Sequence, residues 1–293
     1  MKKVTLLLNI CIVLVLFSCK KQDKVQEADA VAKPESIVVK KRNQPKNLTY
    51  HIETAKEFLA KNSSDSIQTT IAYAINRTDA ENFKKMDSVL IADDWKGDIE
   101  FYLPFPLEVG ALRDINKIVF FSYPTQTFAA YEKGQLVYTG ATNMGREKDK
   151  TPTGLFFTNW KAEKTISTFD DEWELLWNFN IENKLGVGWH QYALPGYPAS
   201  HSCLRLQEKD ARKLYDWAEQ WELSDPETVK VKGTPVIVFG AYDFKAGKPW
   251  LQLISNPKIL DISESEVEQM TKPYLQSILK EQKIRQDFKK AAK

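Results

Sequence analysis

Cysteine and histidine are scarce in this chain of 293 residues. There are three cysteines, Cys11, Cys19 and Cys203, and three histidines, His51, His190 and His201. So few thiols cannot build a disulfide framework. Zinc is poorly supported as well. His201 and Cys203 stand only two apart, no second cysteine accompanies them, and no HExxH pattern occurs. No metal or cofactor is expected. An excess of one charge is also missing. Without Lys2 and Lys3, which lie in a removable leader, 39 basic residues face 39 acidic ones. That balance gives no electrostatic case for nucleic acid. Long internal repeats and low-complexity blocks are absent. What is present is a chain long enough for one large domain or two modest ones, with 43% hydrophobic and 27% charged residues, which permits a sizeable core. Eight Trp and eleven Tyr suggest cores and ligand surfaces.

The first eighteen residues read as an address. Lys2 and Lys3 form a basic start, and Val4–Phe17 is a mostly apolar run broken by Asn9. It is at the short end for a membrane span and reads as a secretory signal. Leu16-Phe17-Ser18-Cys19 resembles the bacterial lipoprotein box, with Phe17 an imperfect fit. The resemblance implies cleavage before Cys19 and lipidation of that thiol. The chain would then be a lipid-anchored protein of the cell envelope, facing the periplasm or wall. An uncleaved N-terminal anchor is the alternative, and both place the rest outside the cytoplasm. Cys11 then leaves with the signal and Cys19 is acylated, so Cys203 has no intramolecular partner. Residues 19–47 are polar, without aromatics, and read as a flexible tether.

Residues 48–110 read as a small, separate, α-rich unit. Helical spacing runs through Thr49–Asn62 (Ile52, Ala55, Phe58, Leu59) and Ser66–Asn76 (Ile67, Ile71, Ala74, Ile75). Ala74–Asp93 resembles half of a LysM module, a small glycan-binding fold, in its Asn-Arg-x-Asp turn, amphipathic segment and closing Val89-Leu90-Ile91. A helical packing element without a ligand is the alternative. Residues 111–245 change character. Ile118–Phe121, Thr127–Tyr131 and Gln135–Thr142 are β-prone, and Glu132-Lys133-Gly134 supplies a hairpin turn with Gly able to take positive φ. Thr151-Pro152-Thr153-Gly154 turns again before Leu155–Thr158. Residues 161–188 mix aromatic and acidic residues, Trp173 and Trp177 among them, with no clear period. Gln207–Leu223 has amphipathic helical spacing, and Thr234–Phe239 is a short apolar strand. Residues 246–293 form a C-terminal extension. In it Ser263–Ala292 reads as a charged helix interrupted at Pro273, with a Ser263/Glu266 capping box.

The chain is organised around Trp189–Leu206, WHQYALPGYPASHSCLRL. His190, His201 and Cys203 lie within fourteen residues of one another. A thiolate is the reactive form of cysteine and an adjacent imidazole can take its proton. Pro195, Gly196 and Pro198 let the loop turn so that His190 returns over Cys203. The N–H groups of Ser202 and Cys203 could receive a developing oxyanion. Arg205 could bind a carboxylate, or form a salt bridge that orders the turn. A metal site and ordinary structure are the competing readings of this cluster.

Ser200-His201-Ser202-Cys203-Leu204-Arg205-Leu206 resembles the Ser-His-Gly-Cys-aliphatic-Arg-aliphatic signature of the L,D-transpeptidase (YkuD-type) catalytic domain. His190 matches that family's second essential histidine, and Thr151–Gly154 its TPTG turn. The resemblance covers roughly residues 115–240. It implies a mainly β catalytic domain, an L,D-transpeptidase-like β-sandwich with short helices. It also implies Cys203 as nucleophile and His190 as general base, with Ser200, His201, Ser202 and Arg205 lining the site. The implied partners are peptidoglycan stem peptides, as acyl donor and acceptor. Transfer to an amine would crosslink stems, and transfer to water would make an L,D-carboxypeptidase or related hydrolase. A non-catalytic peptidoglycan-binding lipoprotein is the reading from another class. Two departures stand out. Ser202 occupies the usual Gly position, where a positive φ would strain it. The His190–Cys203 loop is also short, with Gln191 in place of a small residue.

Overall fold

The computed structural model describes residues 41–167 and 173–292. The leader, Cys19 and most of the tether lie outside the described residues. Those that are described fall in one compact unit.

The chain enters through β1 (Tyr50–Glu53), then α1 (Ala55–Asn62), α2 (Ser66–Ile75), the short α3 (Ala80–Phe83) and β2 (Val89–Ala92). Each helix starts on a capping side chain: Thr54, Asp65 and Asp79 accept from N–H groups of the first turn. The helical spacing over Thr49–Asn62 is only half realised. Tyr50–Glu53 is a strand because it pairs antiparallel with Val89–Ala92, a partner nearly forty residues away that no local pattern contains. β1 and β2 bracket α1 and α2, with Ile71, Ile75, Leu90 and Tyr50 in a shared core.

Two sheets follow. The first contains β3 (Ile118–Ser122), β4 (Thr127–Glu132), β5 (Gln135–Ala141), β6 (Gly154–Phe157) and, from later in the chain, β13 (Pro235–Phe239), in the order β5-β4-β3-β13-β6. The hairpin joining β4 to β5 turns at Lys133 and Gly134, both at positive φ (46° and 82°). A Cβ on Gly134 would meet the Val109 carbonyl at 2.5 Å, so the position requires glycine. The second sheet contains β7 (Lys161–Ile166), β8 (Glu174–Glu182), β9 (Val187–Gln191) and β10 (Leu204–Leu206), in the order β10-β9-β8-β7. Its strands β7 and β8 come from the segment without a clear period. The register of β8 shifts between Leu176 and Phe179, where Trp177 sits at a φ of 54°. That bulge breaks the two-residue alternation a pattern search needs.

The sheets share a core of Phe121, Phe128, Phe179, Trp189, Leu204 and Leu206, closed by Ala211 and Leu214 of α4 (Glu208–Trp217). The mainly β sandwich is as expected. β3 is buried along its whole length because both its faces are covered. Val119 and Phe121 face the shared core, whereas Ile118 and Phe120 face a second one with Val267 of α5 (Glu264–Thr271) and Ile278 of α6 (Leu275–Ala291). Ser263 and Glu266 form the full capping box at α5, and the break before α6 falls at Pro273. α4 stops at Trp217, short of the expected Leu223. The Glu219 N–H donates to Thr234 Oγ1 and its carbonyl accepts from Thr158 Oγ1, so hydroxyls from just beyond the ends of β6 and β13 replace the next helical turn. The chain continues through a small ribbon, β11 (Glu222–Asp225) and β12 (Thr228–Val231).

Candidate active site

β9 and β10 are parallel neighbours, with Leu204 opposite Trp189 and Arg205 opposite His190. Opposed residues point to the same face of a sheet, and successive ones alternate. Trp189, Leu204 and Leu206 enter the core. His190 and Arg205 therefore share the other face, and Cys203, two before Arg205, joins them. An open pocket of about 340 Å³ is lined by these three together with Ser200, His201, Ser167, Trp173, Leu175 and Tyr192.

His190 is buried, at 4% exposure. Its Nδ1 lies 2.9 Å from the Gln191 carbonyl, which can only accept, so Nδ1 carries the proton and Nε2 is the bare acceptor. Burial pushes its pKa down to about 4, and the Arg205 charge adds to this. The imidazole is neutral at neutral pH and able to take a proton. Burial pushes the Cys203 thiol up, against the Gly188 N–H and the Arg205 charge, which both favour thiolate. The resting thiol is directed at the Gly186 carbonyl, 3.7 Å away. Burial thus works against charge on either group.

The turn before Cys203 is tightly fixed. Ser202 has a φ of 77°, in the left-handed region, as its glycine-like position led one to expect. Thr151 Oγ1 donates to the Ser202 carbonyl and accepts from the Gly145 N–H, both at 2.9 Å. Ser200 is fully buried and its Oγ donates to the Cys203 carbonyl at 2.6 Å. Outside the strand ladders, no hydrogen bond donated by the Ser202 or Cys203 N–H is found among the described residues. His201 stacks on Trp173, with ring centres 5.2 Å apart and planes 2° apart, and its Nε2 is 3.9 Å from Asp149. Burial and the Arg146 charge hold its pKa down.

Arg205 makes no ion pair among the described residues. Its guanidinium lies 4.4 Å above the Tyr192 ring and opens onto the pocket. The described residues contain no group of three or more His, Cys, Asp or Glu able to hold a metal.

Of the residues foreseen for the site, His190, Ser200, His201, Cys203 and Arg205 line this pocket, whereas Ser202 does not and belongs to the turn behind Cys203. The sequence reading missed Ser167, Leu175 and Tyr192 as lining residues, Trp173 as the stacking partner of His201, and Thr151 as the brace of Ser202. Thr151 was visible only as part of a turn, and the aromatic residues only as an unphased cluster.

Residues 116–238 match the family model of the YkuD L,D-transpeptidase catalytic domain. Similar solved structures include an L,D-transpeptidase from Stackebrandtia nassauensis (24% identity, TM-score 0.36, covering 43% of this chain and 57% of that one). Others are an L,D-transpeptidase from Mycobacterium smegmatis (20%, TM-score 0.34, 43% and 59%) and one from Mycobacterium tuberculosis (21%, TM-score 0.34, 43% and 58%). The chain thus spans under two thirds of the length of each of these. No curated protein sequence matches it. The segment that brings His190, Cys203 and Arg205 to one pocket, residues 116–238, is thus the part of the chain that matches the L,D-transpeptidase catalytic domain.

Proposed function

We propose that this chain is a cell-wall L,D-transpeptidase with Cys203 as nucleophile and His190 as general base. The observation that carries the reading is the sharing of one pocket by the Cys203 thiol, the buried neutral His190 with a bare Nε2, and the Arg205 cation. A donor stem peptide presents the carbonyl of its third, L-centred residue to Sγ. His190 takes the thiol proton as the S–C bond forms, and the Ser202 and Cys203 N–H groups receive the oxyanion. The bond to the terminal D-Ala then breaks, and His190 returns the proton to the leaving amine. A thioester remains on Cys203. An amine of a neighbouring stem attacks it and yields its proton to His190. The C–S bond breaks and the thiol is restored. Arg205, its guanidinium 4.4 Å over the Tyr192 ring, would bind a stem carboxylate.

Intact mass spectrometry after incubation with a purified tetrapeptide-stem disaccharide tests this. A mass gain on Cys203 with a stem dimer is expected, and Cys203→Ala should lose both while staying folded. A tripeptide without dimer would make the enzyme an L,D-carboxypeptidase. No adduct and no product from a folded chain would end the catalytic reading.

We further propose that the chain is held at the envelope by lipid on Cys19. The basic start, the apolar run and the Leu16–Cys19 box support this. Incorporation of a labelled fatty acid that persists in Cys19→Ala would rule it out.

A further inference from the structure

The loop joining His190 to Cys203 is gripped from outside the family domain. Its middle meets the turn that follows α2. The Leu194 N–H donates to Asp79 Oδ2 at 2.6 Å, and the Asp79 N–H donates back to the Leu194 carbonyl at 3.2 Å. Thr78 Oγ1 donates to that same carbonyl at 2.8 Å, and Thr78 bridges to Pro195. Gly196 turns the loop at a φ of 80°, and a Cβ there would come within 3.2 Å of the Asn76 carbonyl. The gripping turn is itself immobilised. Asp79 caps α3 through the Asn82 N–H and side chain, both at 2.8 Å. Arg77, buried and at a φ of 55°, donates from Nε to the Thr125 carbonyl at 2.7 Å. The far arm of the loop is held differently, by Asn143, which donates to the Tyr197 carbonyl and accepts from the Ala199 N–H.

On either flank of these anchors the loop carries the walls of the pocket, Tyr192 before them and Ser200 and His201 after them. His190 and Cys203 are placed separately, by the β9–β10 ladder. The grip therefore acts on the walls that receive a ligand more than on the thiol and its base.

We propose that Thr78 and Asp79 are positioning residues of the catalytic pocket, so that the small N-terminal unit is a working part of the site and sets how the donor stem is received. This rests on the transpeptidase reading. The test uses the mature full chain with Thr78→Val, Asp79→Ala and Asp79→Asn, which keeps one acceptor oxygen. Three quantities are read: turnover of the tetrapeptide-stem disaccharide, alkylation of Cys203 by iodoacetamide, and amide hydrogen exchange. Thr78→Val and Asp79→Ala should raise KM and lower kcat/KM by ~10-fold, the scale of a displaced binding wall. Asp79→Asn should fall between them and the parent. Exchange across residues 192–201 should quicken while β9 and β10 keep their protection, and Cys203 alkylation should stay near the parent rate. Unchanged kinetics overturn the proposal, whether or not loop exchange changes. So does a parallel fall in turnover, alkylation and thermal midpoint, which would mean general unfolding. If the parent chain turns over no stem peptide, the transpeptidase reading fails, and loop exchange alone decides whether the grip exists.

Discussion

Ser202 is the most strained residue of the site. A non-glycine residue in the left-handed region costs about 1–3 kcal/mol and persists only where its surroundings over-determine it. Here they do: Thr151 holds its carbonyl and Ser200 holds that of Cys203. Replacing Ser202 by Gly relieves the strain and returns some flexibility to the unfolded chain. The expected net gain is about 1 kcal/mol, seen as a rise of ~2–4 °C in thermal midpoint. A lower midpoint would mean that the Ser202 hydroxyl contributes more than the backbone loses. The candidate cysteine and histidine and this strained position could be read in the chain because they lie within one short stretch, Trp189–Leu206. Thr151 could not be read in the same way. It is fifty-one residues from Ser202, and a Thr-Pro-Thr-Gly turn has a sufficient local explanation in itself.

At the scale of elements, the parallel pairing of β9 with β10 puts Arg205 beside His190 and two residues from Cys203. Its charge favours thiolate on Cys203 and disfavours imidazolium on His190, while burial opposes charge on either. The thiol should therefore titrate above the ordinary value of ~8.5. The pH dependence of iodoacetamide alkylation, followed by intact mass, measures this. Arg205→Gln should move the midpoint higher still. A midpoint at or below the ordinary value, or one indifferent to Arg205→Gln, would show that the assigned electrostatics are wrong. Elements whose pattern is local, such as β3, β4, α2 and the capped α5, were legible in the chain. β1 was not, since its strand character comes from β2, and β8 was masked by its bulge at Trp177. α4 ends early because Thr158 and Thr234, on other segments, take over its next backbone groups.

For the molecule as a whole, two buried groups bend the pH dependence of stability in opposite directions. The folded pKa of His190 is about 4, below its ordinary 6.5. Unfolding therefore takes up a proton between these values, and stability is lost as pH falls from 6.5 towards 4, by about 3 kcal/mol. Asp210 accepts from the Tyr138 hydroxyl at 2.6 Å, and burial raises its pKa from 3.8 to about 6. Its folded form keeps the proton that the unfolded form releases, so stability is gained as pH falls from 6 towards 3.8, again by about 3 kcal/mol. The two oppose each other. Relative to the parent chain, denaturant titrations should find His190→Gln gaining stability on acidification and Asp210→Asn losing it. Parallel curves for all three chains would refute the assignment.

The sequence by itself determined which residues are candidates for chemistry. A thiol, an imidazole thirteen residues before it and an arginine two residues after it lie in a stretch that resembles the L,D-transpeptidase signature, and that resemblance is what implies acyl transfer. Short β-prone runs punctuated by Gly and Pro are enough to imply a β-rich domain around it. These are local properties, carried by residue type and by spacings of a few positions. Only the tertiary structure decided which residues enclose that chemistry. Trp173 comes to His201, Thr151 to Ser202, and Thr78 and Asp79 to Leu194 across separations of 28 to 116 residues. Such contacts depend on strand register, on a bulge and on a buried turn, and their energy appears only once both partners are folded.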